Sequence, residues 1–257
     1  MPRLYQAWAD FHTHTVHSHG SGTIEGNVRA AVTKGLLAVG ITDHGPALWR
    51  HGVDLAFWSR IEEEVQAARE KYPGIRVLLG LEANVVSSYG HLDVPDWVLE
   101  RLDILLVGFH LMIWPDSRDK LKLVVPNLAY SWLPREARAA LRKSNTQALV
   151  RAVMKHDVDI VVHPGLHVDI DTEELAYACK ERHTALEINA SHEVPELEFV
   201  RSAAKTGVRF VVSSDAHSPA KVGDLSQALL LVRAAGLSPE RVVNLYNDAF
   251  RATFGRT

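Results

Sequence analysis

Residues 103–110 read DILLVGFH, in which Asp103 leads an unbroken apolar run that ends on a histidine. A strand with one wet face alternates apolar and polar residues, whereas a strand covered on both faces reads as a continuous apolar run. The pattern recurs outward from this stretch. VLLGLE (77–82) ends on Glu82, and AVGITDH (38–44) ends on His44. DIVVHP (159–164) carries His163, and RFVVSSDAH (209–217) carries Asp215 and His217. These runs predict strands over Ala9–His12, Leu37–Thr42, Arg76–Leu81, Ile104–Phe109, Asp159–His163, Ala185–Asn189 and Arg209–Ser213.

Helix signals lie between them. Thr23 caps a predicted helix that Gly35 ends, and Asp54 caps a charged helix running to Lys71 before Pro73-Gly74. Ser144 caps a predicted helix Asn145–Lys155, and Asp171-Thr172 precede Glu173-Glu174 in a first turn. Ser238-Pro239 opens the last helix. About seven β-α units in 257 residues indicate an α/β fold of the (β/α) barrel type, with a doubly wound open sheet as the alternative. Residues 1–257 read as a single domain with an insertion at about 111–143, rich in Trp, Pro, Arg and Lys.

Composition narrows the function. The chain is 47 % hydrophobic and 23 % charged, which excludes disordered and fibrous classes. There is no 18-residue apolar run, and the stretch MPRLYQAWADFHTH lacks the apolar core of a signal peptide. Together with the single cysteine, Cys179, this sets the expectation of a cytoplasmic protein with no membrane span. A net charge of −3 argues against a nucleic-acid partner. Fourteen histidines are a heavy load, and they point to metal.

Seven of them, His12, His14, His19, His44, His110, His163 and His217, fall at or just after predicted strand ends. His12 and His14 are two apart on one strand and project to one face, and Asp215 and His217 repeat the spacing. In parallel α/β folds chemistry collects at the carboxyl ends of strands. Nine candidate ligands, these seven with Glu82 and Asp215, suit two or three metals, and imidazole-rich ligation without thiolate favours zinc, manganese or iron.

The order DFHTHTVHSHG (10–20), ITDHGP (41–46), GLE (80–82), HPG (163–165) and SSDAH (213–217) resembles the PHP superfamily, named for polymerase and histidinol phosphatase. Residues 144–165 and ALEINASH (185–192) are similar to its small trinuclear-zinc phosphatases of the YcdX type. HLDVPDWVLERLDILLVGFH (91–110) is similar to the PHP domain attached to bacterial family X DNA polymerases. The resemblance implies a distorted seven-stranded barrel and three zinc ions, with manganese or iron as alternatives. It implies a first ion on His12, His14, Glu82 and Asp215, and a second that Glu82 shares with His110 and His163. His19, His44 and His217 would hold a third, with His17 the alternative to His19, since many PHP proteins carry Asp at that position.

The chemistry expected is hydrolysis of a small anionic phosphomonoester, such as histidinol phosphate, a sugar phosphate or a nucleotide. A metal-bridging hydroxide attacks phosphorus in line, with Glu82, Asp215 and His217 at the catalytic centre. A nuclease or phosphodiesterase and a non-catalytic metal-binding module are the alternatives. Asp43 and Asn189 either orient ligands or satisfy strand-end backbone groups. Arg118 and Arg135 in the insertion, with Lys120 and Arg138, reach a distal phosphate or form a solvated face. His167 and His192 contact substrate or stand exposed. Trp114 and Trp132 wall a ring or pack the insertion onto the barrel, and His51 reads as a surface residue whose removal is neutral.

Overall fold

The computed structural model describes residues 5–114, 117–192 and 197–246. Its strands are β1 (Ala9–Asp10), β2 (Ala38–Ile41), β3 (Arg76–Asn84), β4 (Ile104–Gly108), β5 (Ile160–Val161), β6 (Ala185–Asn189) and β7 (Phe210–Ser213). They pair in chain order and all in parallel. The helices are α1 (Ile24–Thr33), α2 (Trp58–Lys71), α3 (Asp96–Leu99), α4 (Arg118–Leu128), α5 (Arg135–Lys155), α6 (Thr172–Glu181), α7 (Leu197–Lys205) and α8 (Ser226–Ala234). The result is a single α/β domain built as a nearly closed seven-stranded barrel, as the apolar runs predict.

Those runs are apolar on both faces because two cores flank the sheet. Val77, Leu79 and Leu81 of β3 and Leu105 and Val107 of β4 pack outward with the helices. Leu78 of β3, with Ile104 and Leu106 of β4, belongs to a separate inner cluster that includes Phe11, Ile160, Val162 and Val211. Successive side chains alternate faces, so the residues that follow Leu78 on its face are Gly80 and Glu82. On β4 they are Gly108 and His110, on β6 Ala185 leads to Glu187 and Asn189, and on β7 Val211 leads to Ser213 and Asp215. The barrel interior thus changes from apolar at the amino ends of the strands to ionisable at the carboxyl ends.

β1 and β7 close the barrel without a regular ladder. Above the strands, Thr13 bridges Ala216, and the His14 N–H donates to the Ala216 carbonyl at 2.8 Å. Below, residues 242–245 fill the gap: Val242 bridges Phe210, and Leu245 bridges Ala7. Buried Asn244 takes the place of missing ladder bonds. Its Nδ2 donates to the Ala9 carbonyl at 2.8 Å and the Val212 carbonyl at 2.7 Å, and its Oδ1 accepts from the Val212 N–H at 3.0 Å. Asp10 reinforces the seam by accepting from the Ser214 N–H and hydroxyl and the Gly223 N–H. Asn244→Ala strands three buried backbone groups at roughly 1 kcal/mol each. A melt followed by circular dichroism should show Tm lowered by about 6–12 °C in a domain of this size.

Most caps fall as expected. The Thr23 side chain accepts from the Gly26 N–H, and Asp171 accepts from the Glu174 N–H. Asp54 caps a short 3-10 turn, Leu55–Phe57, that leads into α2. Two expectations are corrected. Helix α5 begins at Arg135, so Ser144 lies inside it and caps nothing. The stretch REARAALRK consists of strong helix formers, and Pro134 ahead of it sets the start. With α4 before it, residues 111–143 are largely helical among those described. Ser238-Pro239 opens only a 3-10 turn, Pro239–Arg241, because Val242 turns extended to pair with Phe210. Cys179 is buried in α6, where burial pushes its thiol well up and away from reactivity. No helix among the described residues is long and apolar enough to cross a membrane.

Candidate metal centre

The site lies where the ionisable layer of the barrel interior opens at the carboxyl ends of the strands. Glu82, fully buried near the end of β3, is its hub. Its Oε1 lies 2.8 Å from His163 Nε2 and 3.1 Å from His110 Nε2. Its Oε2 lies 2.5 Å from His44 Nδ1, 3.4 Å from His12 Nε2 and 3.6 Å from His14 Nε2. Five imidazoles therefore face one carboxylate. Opposite, Asp215 Oδ1 lies 3.0 Å from His14 Nε2, 3.6 Å from His12 Nε2 and 3.5 Å from His217 Nδ1.

Asp215 and His163 adopt positive φ, 50° and 28°, at strand ends where the backbone turns the side chain inward. Gly108 supplies the space. A Cβ there would lie 2.7 Å from His110 Cε1 and 3.0 Å from Glu82 Oε1, so any larger residue would push into the cluster.

Surrounding groups orient three of the rings. Glu187 Oε1 accepts from His12 Nδ1 at 2.8 Å, and its Oε2 accepts from the His163 N–H at 2.6 Å and Asn189 Nδ2 at 3.0 Å. Asn84 Nδ2 donates to Asp93 Oδ2, which leaves Oδ1 to accept from His110 Nδ1 at 2.7 Å. His217 Nδ1 donates to the Asp215 carbonyl at 2.9 Å. Each ring spends Nδ1 on this support and is left with Nε2 as its free donor atom, the arrangement by which proteins hold imidazole for a cation. Asn189 also donates to Asp215 Oδ2 at 3.2 Å, and Asp43 accepts from Thr15 and Ser18 in the loop that follows β1. Asn189 thus touches a candidate ligand directly, whereas Asp43 serves the backbone and hydroxyls of the loop.

The donor set fits divalent ions on three observations. Glu82 Oε2 and His44 Nδ1, which meet at 2.5 Å without hydrogen-bond geometry, and His14 Nδ1 are buried with no hydrogen bond, a costly state that ligation relieves. Donor atoms converge as four overlapping triads: His12, His14 and Asp215; His12, Glu82 and His163; His44, Glu82 and His110; His14, His44 and His217. Atoms bound about 2.1 Å from a shared ion lie about 3.4 Å apart around a tetrahedron, close to the separations found. The electrostatics agree. Burial works against the Glu82 carboxylate, yet His44, His110 and His12 hold it well below the usual range. Burial likewise works against Asp215, and His12 and His14 outweigh it.

Eight of the nine candidate ligands fall in these triads, and His19 does not. Its exposed ring lies 4.3 Å from that of His217 and 5.0 Å from that of His44. Burial, then His217, His44 and His51, push it down to about pKa 4. His17 turns away, bonding Glu64 of α2 at 2.8 Å. His51 is exposed, as read, and its ring lies 4.6 Å from that of His19.

His192 Nε2 lies 3.0 Å from Asp215 Oδ2, and His167 is exposed in the loop after His163. Arg118 and Arg135 stand exposed on the first turns of α4 and α5. Arg138 serves the fold, donating to Leu133 and Ser131 carbonyls and stacking over Tyr130. Trp132, 87 % exposed, does not pack the insertion onto the barrel.

Sequence reasoning missed Glu187 and Asn84. Their only signal is the alternation that places Glu187 two residues before Asn189 and Asn84 two after Glu82. Glu187→Gln turns an amide NH₂ toward donors that need an acceptor at almost unchanged volume. Metal content and kcat/KM of the folded variant should fall about 10- to 100-fold.

A parallel barrel that gathers imidazoles and buried carboxylates at the carboxyl ends of its strands is the type of scaffold and donor set on which metal-dependent hydrolases are built. The PHP domain model matches residues 10–191, and the chain belongs to the PHP domain family. A protein of Thermoanaerobacter sp. strain X514 named "Probable phosphatase" is 31 % identical over 251 residues, covering 91 % of this chain and 89 % of that one. Another so named, from Caldanaerobacter subterraneus, is 32 % identical over 249 residues, covering 93 % and 87 %. The family and these relatives make the chain a hydrolase of phosphate ester bonds. The histidinol phosphate phosphatase of Lactococcus lactis, solved with zinc, L-histidinol and phosphate, shares the fold with a TM-score of 0.59. The two are 14 % identical, with 90 % of this chain and 94 % of that chain covered.

Proposed function

We propose that this protein is a metal-dependent phosphomonoesterase acting on a small phosphorylated metabolite, with three zinc ions as its resident cations. The observation that carries the reading is Glu82, one buried carboxylate faced by five imidazoles, a hub for more than one ion. His12, His14 and Asp215, sharing Glu82, would hold one ion; Glu82, His110 and His163 a second; and His44 and His217, with His19, a third. Manganese or iron suits the same donors. Bound ions would supply Lewis acidity at the phosphoryl oxygens and a water acidified toward neutral pH.

The chain's own residues do the rest. Glu187, Asn84 and Asn189 hold the ligand side chains in register, so little reorganisation is needed on substrate binding. His192, 3.0 Å from Asp215, and His167, exposed in the loop after His163, are assigned to binding of the phosphoryl group. Arg118 and Arg135 are assigned to distal anionic groups of the substrate. Excess positive charge from the ions over the carboxylates favours an anionic ester, and zinc with phosphate in the Lactococcus lactis neighbour supports the same chemistry. Histidinol phosphate, a sugar phosphate and a nucleotide all satisfy this description.

The test compares p-nitrophenyl phosphate with bis-p-nitrophenyl phosphate on reconstituted enzyme, followed by a panel of phosphorylated metabolites. Monoester turnover should dominate. Preference for the diester would instead establish the nuclease or phosphodiesterase reading. No turnover of either by metal-loaded protein would leave the binding module.

A further inference from the structure

The loops that leave His44 and His110 pair with one another over the mouth of the barrel. Leu48 bridges Ile113 in antiparallel sense, the Trp49 N–H donates to the Met112 carbonyl at 2.7 Å, and the Trp114 N–H donates to the Ala47 carbonyl at 2.8 Å. Such a ribbon has two faces. Leu48 and Ile113 point into the core, 7 % and 3 % exposed. The opposite face should then be polar, since it meets water. It carries Trp49, Met112 and Trp114 instead, 44 %, 52 % and 54 % exposed, with the two indole centroids 6.1 Å apart. Arg50 lies over the Trp49 ring at 5.8 Å. The same turn continues to His51, whose ring meets His19, which in turn meets His44 and His217. The ribbon is thus joined through its own turn, at His51, to the ring contacts that lead to the candidate metal centre.

We propose that Trp49 and Trp114 are a specificity platform on which a planar ring in the substrate's leaving group packs while its phosphate sits at the centre. The proposal rests on the phosphomonoesterase reading. Continuity with the cluster selects this occupant: the ribbon is anchored at both roots by histidines of the site, and a cation stands beside the indoles to favour an anionic ester.

Reconstituted wild type, Trp49→Ala, Trp114→Ala and the double variant are assayed on p-nitrophenyl phosphate and on glycerol 2-phosphate, which has no ring. KM for the ring-bearing ester should rise about tenfold in the double variant with kcat nearly unchanged, while glycerol phosphate kinetics stay within about twofold. Equal effects on both esters, or none on either, overturn the platform. Calorimetric titration of the metal-loaded protein with phenylphosphonate and methylphosphonate reads the platform without turnover. Wild type should bind the phenyl compound about tenfold more tightly, and the double variant should lose that margin. An enzyme that hydrolyses neither ester but keeps the phenyl preference refutes the phosphomonoesterase reading alone. A concentration-dependent dimer in sedimentation that the double variant abolishes assigns the indoles to a second copy of the chain and overturns the proposal.

Discussion

Glu82→Gln should lower kcat/KM for p-nitrophenyl phosphate by at least about a hundredfold, beyond the effect of removing a supporting residue, and should reduce the metal retained per chain. The reason is the number of interactions on one side chain. Oε1 serves His110 and His163, and Oε2 serves His12, His14 and His44. An amide keeps the volume but loses the charge and turns an NH₂ group into one of these two sets. Plasma mass spectrometry and initial rates on the purified variant read both losses, and circular dichroism checks the fold. Wild-type activity with a full metal complement would reject Glu82 as the shared ligand.

Chelation should abolish hydrolysis, and zinc or manganese should restore it. It should also lower Tm by about 10 °C. A ligand present at a thousandfold its dissociation constant stabilises the fold by about 4 kcal/mol, and a domain of this size loses about 2–4 °C per kcal/mol. The buried carboxylates Glu82, Glu187 and Asp215 give the loss its physical content. Without cations they must be balanced by imidazolium groups alone, and burial works against ionisation in all three. The number of metals per chain before treatment, expected near three, is the companion measurement. Fewer than two tightly held metals with no metal-dependent turnover would mean that the motif survives as scaffold.

Much of this architecture was legible in the sequence because its signals are local. The strands were visible as apolar runs, and all seven appear, although β1 and β5 shrink to two residues each. These two end early because the next backbone donors go to side chains: the His12 N–H to Asp10 and the Thr13 N–H to Thr42 after β1, and the His163 N–H to Glu187 after β5. The start of α5 was misplaced for the opposite reason. A good local cap, Ser144, competed with a longer helix-forming run that began earlier.

Within the site, the split between His17 and His19 was invisible in sequence, since both lie in one loop two residues apart. Glu64, forty-seven positions from His17, takes that ring and leaves His19 facing the cluster. Asn84 and Glu187 were hidden for a related reason: a polar residue in a strand shows its role only when the register turns it inward.

By itself the sequence determined a parallel α/β sheet of about seven units, the end at which its chemistry collects, and the residue types gathered there; closure into a barrel and not an open sheet is a tertiary outcome. Period-two alternation, strand-ending histidines and cap residues each act over a few positions. Only the tertiary structure decided which imidazoles share a carboxylate, which groups orient them, and that two loops join into an aromatic ribbon. Those outcomes depend on contacts between residues as far apart as His14 and Asp215, 201 positions along the chain, and on closure of β1 against β7. Ligand geometry depends on that closure, and no local pattern encodes it.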